Sequence, residues 1–257
     1  MLRFLLRKFL YDLWDNLFKV MLLNLVFLCI LVLALTVLSF LAFSPLLSAA
    51  AFAVFVFFAF VYVSAAALSV KEASDYRSFG AGDFFRALKS AWRSALVLSG
   101  LFFAGFFLVR FTIPFYLALG GLAGAAFAAI CFWTAVTLAA AFQFIPAIFS
   151  RLEKRPSRAV KKCLIIFFDN IPFSFFSLFF VIVLSLPVIF FPAFPLLYLD
   201  EALRLRLLKY DRLPATGDKA GGDPKAGKRK IPWNEILAEE MEKTGKRTWK
   251  DFVFPWR

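Results

Sequence analysis

Three uninterrupted apolar runs dominate the chain. No charged residue occurs between Val20 and Val70, between Phe111 and Ser150, or between Asn170 and Leu199. A helix that crosses a bilayer needs about 20 apolar residues. The first run therefore predicts two helices, with the break at Phe43-Ser44-Pro45. The stretch Ser94–Ser150 predicts two more, broken around Pro114 and Gly120-Gly121, with Arg110 as the only charge inside. The third run predicts either one long span or a hairpin broken near Pro187 and Pro192, whose second arm is Ala193–Lys209. The expected fold is all-α: a polytopic transmembrane helix bundle, with six helices favoured and five as the alternative.

Between these runs lie basic amphipathic segments. In Gly82–Arg93, Asp83 is placed to cap a helix. Phe84, Phe85, Leu88 and Trp92 share one face of it, and Arg86, Lys89 and Arg93 the other. Residues 1–19 have the same character, with Leu2, Leu5, Leu6, Phe9, Leu13 and Leu17 set against Arg3, Arg7 and Lys19. Such helices bind anionic lipid headgroups, or dock a partner protein. The apolar helix bundle is expected over 20–210. A Gly/Pro/Lys-rich linker follows over 211–232, and a helix-forming tail over 233–257, its helix ending near Gly245. The last residues, Thr248–Arg257, hold two Trp and two Phe. They suit folding back onto the protein, anchoring at the membrane surface, or binding a partner.

Charge fixes the expected orientation. Lys and Arg outnumber Asp and Glu by 30 to 17, a net +13. In a soluble protein this would suggest nucleic acid. Here the basic residues gather in the N-terminal segment (Arg3, Arg7, Lys8, Lys19), the loop after the second helix (Lys71 to Arg93) and the loop after the fourth (Arg151 to Lys162). The positive-inside rule then puts the N-terminus on the cytoplasmic side of the membrane. Fourteen further basic residues lie between Arg204 and Arg257. A hairpin in the third run keeps them inside as well; a single span would export them. The first run is too long for the core of a cleavable signal peptide.

An approximate threefold repeat is visible. Lead-ins at Leu13–Phe18, Ala91–Leu96 and Phe168–Phe173 each run from an amphipathic segment into an apolar helix, and Pro45, Pro114 and Pro187 mark the turns that follow. Polar side chains inside the runs are few. Asn24, Tyr62, Gln143, Asp169 and Asn170 all fall near one predicted membrane boundary, where they could line an inward-facing polar layer or satisfy neighbouring backbone. Gly120, Gly124 and Ala128 form a ladder of small residues suited to close helix packing, within the chain or in a homo-oligomer.

Hydrophobic residues make up 62% of the chain, against about 45–50% in soluble domains. There is no histidine. That excludes histidine-based triads, HExxH metalloprotease chemistry and His-ligated metals. Cys29, Cys131 and Cys163 have no metal-ligand spacing. Gly80-Ala81-Gly82 lacks the Gly-Lys-Ser/Thr of a phosphate loop. No cofactor and no catalytic residue is expected.

Four short motifs resemble the YesL-like family of bacterial integral membrane proteins: Leu22–Phe27, Ser44–Ala50, Asp83–Lys89 and Asn170-Ile171-Pro172. The family usually has Gly-Pro-Ala at the first turn, where this chain has Ser44-Pro45-Leu46. The likeness covers about residues 10–210. It implies association with sugar ABC-transport systems and no assigned activity. The expected role is therefore a non-catalytic accessory or assembly partner of a transporter, with ABC-transporter subunits as partners. The alternative is a small transporter or channel built around the polar layer.

Overall fold

The computed structural model describes residues 1–77, 80–187, 191–212 and 233–245. The expected linker and the aromatic end at Thr248–Arg257 lie outside the described residues. Among those described, every regular element is helical. The main helices are α1 (Leu2–Asp15), α2 (Leu17–Phe40), α3 (Pro45–Ser74), α4 (Ala81–Ser90), α5 (Trp92–Phe107), α6 (Ile113–Leu119), α7 (Gly121–Phe142), α8 (Ile145–Arg151), α9 (Pro156–Asp169), α10 (Ile171–Ser185) and α11 (Ala193–Arg212). Two short tail helices follow, Trp233–Ile236 and Ala238–Thr244. Gly245, at φ +72°, ends the second.

These helices form three successive triplets. In each, an amphipathic helix meets an apolar one at a single-residue joint: Asn16 between α1 and α2, Ala91 between α4 and α5, and Asn170 between α9 and α10. A turn and a returning helix complete each triplet: α3, α7–α8 and α11. The joints coincide with the three lead-ins of the sequence repeat.

The turns form where the chain allows them. Ser44 caps α3, its Oγ accepting the Leu47 N–H at 3.5 Å, and Pro45 opens the helix. Pro114 does not break the second hairpin. A wide π-turn at Leu108–Thr112 absorbs it, and the helix continues through α6. The break comes at Gly120 and Gly121, whose φ angles of +70° and +66° favour glycine. Asp83 sits at the third position of α4 rather than before it, its carboxylate accepting the Gly80 N–H at 3.0 Å.

Four helical stretches are long and apolar enough to cross a membrane: Leu17–Phe43, Pro45–Ser74, Trp92–Leu119 and Gly121–Arg151. The pair α9–α10, bent by 107°, makes a fifth if read as one broken span. The expected sixth arm, α11, is not a lipid-facing helix. Ala193, Leu197, Tyr198, Glu201, Ala202, Leu203 and Leu205 are all fully buried. Its polar composition fits this place, because protein rather than lipid surrounds it.

The core sits at one end of the bundle. Leu5 and Phe9 of α1 pack with Val20, Ile145, Ile148, Leu197 and Tyr198. The Tyr198 ring lies 4.5 Å from Phe180 and 5.9 Å from Phe9. The far half of the bundle is turned outward, with Phe40 76% and Leu122 88% exposed. Apolar surface on this scale marks a membrane-facing protein. The four candidate spans and the bent pair thus belong to a multi-pass helical membrane bundle, all-α among the described residues.

The return point of the third triplet is shallow. The Ala193 N–H donates to Asn24 Oδ1 at 2.8 Å, and the Phe191 ring lies 5.4 Å from Phe27. Beyond Phe27 the first span runs on to Phe43, about 24 Å further at 1.5 Å per residue.

Candidate functional site

The ends of α3 and α8 meet the middle of α11 at the charged end of the bundle. Arg151, at the end of α8, donates to Asp200 of α11 through Nε at 2.8 Å and Nη2 at 2.5 Å. It also reaches Asp75 Oδ1 at 2.9 Å and Ser74 Oγ at 3.1 Å, at the end of α3. Arg204, one turn further along α11, donates to the Ser74 carbonyl, contacts Asp75 Oδ1 at 3.1 Å and bonds Glu240 of the tail at 2.8 Å. Asp75 is shared by both arginines.

Lys8 enters the same region from α1. Its side chain is fully buried, bonds Asp12 one turn on, and donates to the Ser74 carbonyl at 3.2 Å. Glu201 faces it at 3.7 Å. Both Glu201 carboxylate oxygens lack a hydrogen bond among the described residues, and the residue is fully buried. Glu201 stands level with the end of α3, outside the four apolar spans. Burial holds its acid well above the usual carboxylate range, and Lys8 opposes that while Asp12 and Asp200 add to it. Burial lowers the Lys8 ammonium, but Glu201, Asp12 and Tyr76 outweigh it and leave it raised.

Tyr76 closes the cluster. Its backbone is left-handed, φ +59°, a conformation that costs a non-glycine residue about 1–2 kcal/mol. Its side chain earns that conformation. The ring lies under Lys8 Nζ at 4.6 Å and Arg204 Cζ at 5.4 Å. Its hydroxyl reaches Thr244 at 3.1 Å and Glu240 at 3.4 Å. Residues 233–245 are thereby pinned to the bundle, with Leu237 buried beneath them.

The residues of the proposed polar layer are placed apart. Asn24 meets the start of α11, as above, and its Nδ2 has no partner among the described residues. The Tyr62 hydroxyl donates to the Leu23 carbonyl at 2.7 Å. Gln143 Nε2 donates to the carbonyls of Ala140 and Ser174 at 2.9 and 2.7 Å. Asp169 accepts from Lys209 at 2.8 Å, and Asn170 Oδ1 accepts from Arg206 at 2.6 Å. Asn24 and Tyr62 thus serve α2, α3 and α11; Gln143 joins α7 to α10; Asp169 and Asn170 hold the far end of α11. None of the five lines the three cavities described below.

Gly124 and Ala128 are buried, and the ladder packs inside the α6–α7 hairpin. A Cβ on Gly124 would lie 2.5 Å from the Tyr116 carbonyl oxygen. Gly120 occupies the turn. On α4, Phe84 turns inward onto Tyr62, ring centroids 5.3 Å apart, while Phe85 is 66% exposed. Arg86, Lys89 and Arg93 are all exposed. The three cysteines are unpaired, and among the described residues no three His, Cys, Asp or Glu side chains gather as a metal site.

Three cavities open near this end. One of about 270 Å³ lies at the α4–α5 joint against α3 and α8. One of about 510 Å³ lies between α3 and α4, beside Glu72, Arg77 and Asp83. One of about 520 Å³ lies between α1 and the tail helix, beside Phe4, Arg7 and Met241.

Sequence reasoning missed the charge cluster. It counted Arg151 among the loop charges, and Arg204 among the basic C-terminal residues near the inner end of the arm that also holds Asp200 and Glu201. One signal was present: Lys8 and Asp12 fall on the same helical stripe as the apolar Leu5 and Phe9. Comparison with protein-family models, curated proteins and solved structures finds no match to this chain.

Proposed function

We propose that this chain is a non-catalytic accessory or assembly partner of a transport system in a bacterial cytoplasmic membrane, with both termini on the cytoplasmic side. The observation that carries this reading is the buried charge cluster. It locks α1, three returning helices and the tail into one rigid platform, flanked by the exposed basic edge of α4. A platform of this kind suits holding a partner rather than moving a substrate. The YesL-like motifs support sugar ABC-transport subunits as that partner.

In this reading the chain crosses four times, and α10–α11 is a re-entrant hairpin. The shallow return point at Phe191 supports this, because α10, at 15 residues, spans only about 22 Å. An even number of crossings keeps the basic C-terminal region on the same side as the N-terminus, as the positive-inside rule requires. The test is purification of the full chain, tagged at the N-terminus, from its native host in mild detergent. A stoichiometric ABC-transporter permease supports the reading. A clean homo-oligomer, or a deletion strain with unchanged transporter levels, refutes it.

A second reading, a small transporter, is favoured by Glu201. It is a fully buried acid at the inner ends of the spans with neither oxygen hydrogen-bonded among the described residues, which suits a proton-accepting group at the mouth of a path. Loss of proteoliposome flux in Glu201→Gln, with insertion intact, would support it. Unchanged flux in Glu201→Gln and in Asn24→Leu/Gln143→Leu would count against it.

A further inference from the structure

We propose that the cavity at the α4–α5 joint binds the phosphate of an anionic glycerophospholipid, of the phosphatidylglycerol class. Two cations reach it, Arg93 and Lys154, both exposed at its mouth. Four hydroxyls line it: Ser64, Ser90, Ser94 and Ser150. No carboxylate is among its lining residues. Its apolar wall is Leu68, Pro146 and Phe149.

One hydroxyl is set to donate. Ser64 Oγ donates to Ser94 Oγ at 3.0 Å in a buried pair, and the Ser94 proton has no acceptor among the described residues, so it is left for a ligand oxygen. Ser90 and Ser150 donate to the Ala87 and Ala147 carbonyls and offer a ligand only their oxygens. Arg93 is held over the Trp92 ring at 5.2 Å, which fixes its guanidinium near the opening. Arginine and hydroxyl donors arranged around an oxygen-rich anion are the usual elements of phosphate recognition.

Position selects a lipid over a free ion. Trp92 begins the apolar stretch Trp92–Leu119, and it is 48% exposed. Tryptophan at the start of a span sits at headgroup depth, where lipid phosphates are the local anions. Leu96, one turn further in, is 53% exposed and offers a track for an acyl chain. No lining carboxylate supplies a counter-charge for a choline or ethanolamine ammonium, which favours an anionic headgroup over a zwitterionic one. At about 270 Å³ the cavity is below the size of drug-binding pockets and suits a headgroup. This site stands on the membrane reading of α5 and is independent of any transport partner.

The test uses the full chain in detergent with equimolar phosphatidylglycerol and phosphatidylcholine, read by native mass spectrometry. Wild type is expected to retain phosphatidylglycerol preferentially. Arg93→Gln/Lys154→Gln is expected to lose that retention roughly tenfold or more, since one charge-assisted hydrogen bond is worth at least about 1.4 kcal/mol. Ser90→Leu, which fills the mouth without changing charge, is expected to lose it too. Arg3→Gln/Lys161→Gln removes two exposed charges elsewhere and is expected to bind as wild type. Equal loss in this control reduces the effect to surface charge and overturns the proposal. Retention unchanged in both cavity variants overturns it as well. Displacement of the lipid by millimolar inorganic phosphate would make the ligand a free ion and refute the lipid assignment.

Discussion

Replacing Arg151 with methionine removes the cation that joins α8 to α3 and α11 while keeping a long, apolar side chain. The loss is concentrated at Asp200. That carboxylate is 1% exposed, and without Arg151 it keeps only hydroxyl contacts, from Ser150 at 3.4 Å and from Ser74. Asp75 suffers less, because Arg204 still reaches it at 3.1 Å. Removing one partner of a buried pair costs about 3–5 kcal/mol. For a chain of this size each kcal/mol lowers the melting temperature by about 2–4 °C, so Arg151→Met should melt about 6–20 °C below wild type. The assay is thermal unfolding of the purified protein in detergent, followed by tryptophan fluorescence. A second variant isolates the cause. Arg151→Met/Asp200→Leu removes both charges and should recover most of the loss, because an apolar pair of similar volume replaces a buried ion pair at little cost. A single variant within about 1 kcal/mol of wild type, or a double variant as unstable as the single, would refute the reasoning.

Glu201→Gln should stabilise the protein at neutral pH. The folded-state acid is raised by burial, so its contribution is present at low pH and is lost as pH climbs from the ordinary carboxylate range through the folded value. The gain over wild type should therefore be large at pH 8 and shrink toward pH 5; a pH-independent difference would contradict this. Tyr76→Phe keeps the ring between Lys8 and Arg204 but loses the hydroxyl contacts to Thr244 and Glu240. It should release residues 233–245 to limited proteolysis at an enzyme dose that leaves wild type intact. Gly124→Ala should cost about 1–3 kcal/mol by forcing α6 and α7 apart at Tyr116, read as a lower melting temperature. Truncation after Arg212 should also lower the melting temperature, because it deletes the Arg204–Glu240 pair and buried Leu237.

The helical class and the positions of most breaks were legible in the sequence. Charge-free runs, Ser44-Pro45 and Gly120-Gly121 each act locally, through hydropathy, capping and φ preference. The single-residue joints at Asn16, Ala91 and Asn170 were legible as a repeat for the same reason. Pro114 misled, because a π-turn can absorb a proline without breaking a helix. The role of α11 was not legible. Hydropathy compares a segment with water and lipid, and α11 is surrounded by neither. Asp200 finds Arg151 49 residues away, Arg204 finds Ser74 130 residues away, and Glu201 faces Lys8 of the first helix, and no local period encodes that. The separate partners of Asn24, Tyr62, Gln143, Asp169 and Asn170 were not legible for a related reason. Depth along a helix can be counted from sequence, but the face each residue presents to its neighbours cannot.

The shallow third hairpin bears on how the protein is made. The first two hairpins are apolar enough to partition into lipid as they leave the ribosome. Helix α11 is not. It carries two acids and two arginines in its middle turns, and it can settle only where Lys8, Arg151 and the end of α3 already wait for it. Its insertion is a docking reaction onto the helices made before it. Until then Lys8 has Asp12 and Arg151 has Asp75 as carboxylate partners, and the cluster is complete only once α11 brings Asp200, Glu201 and Arg204 to them.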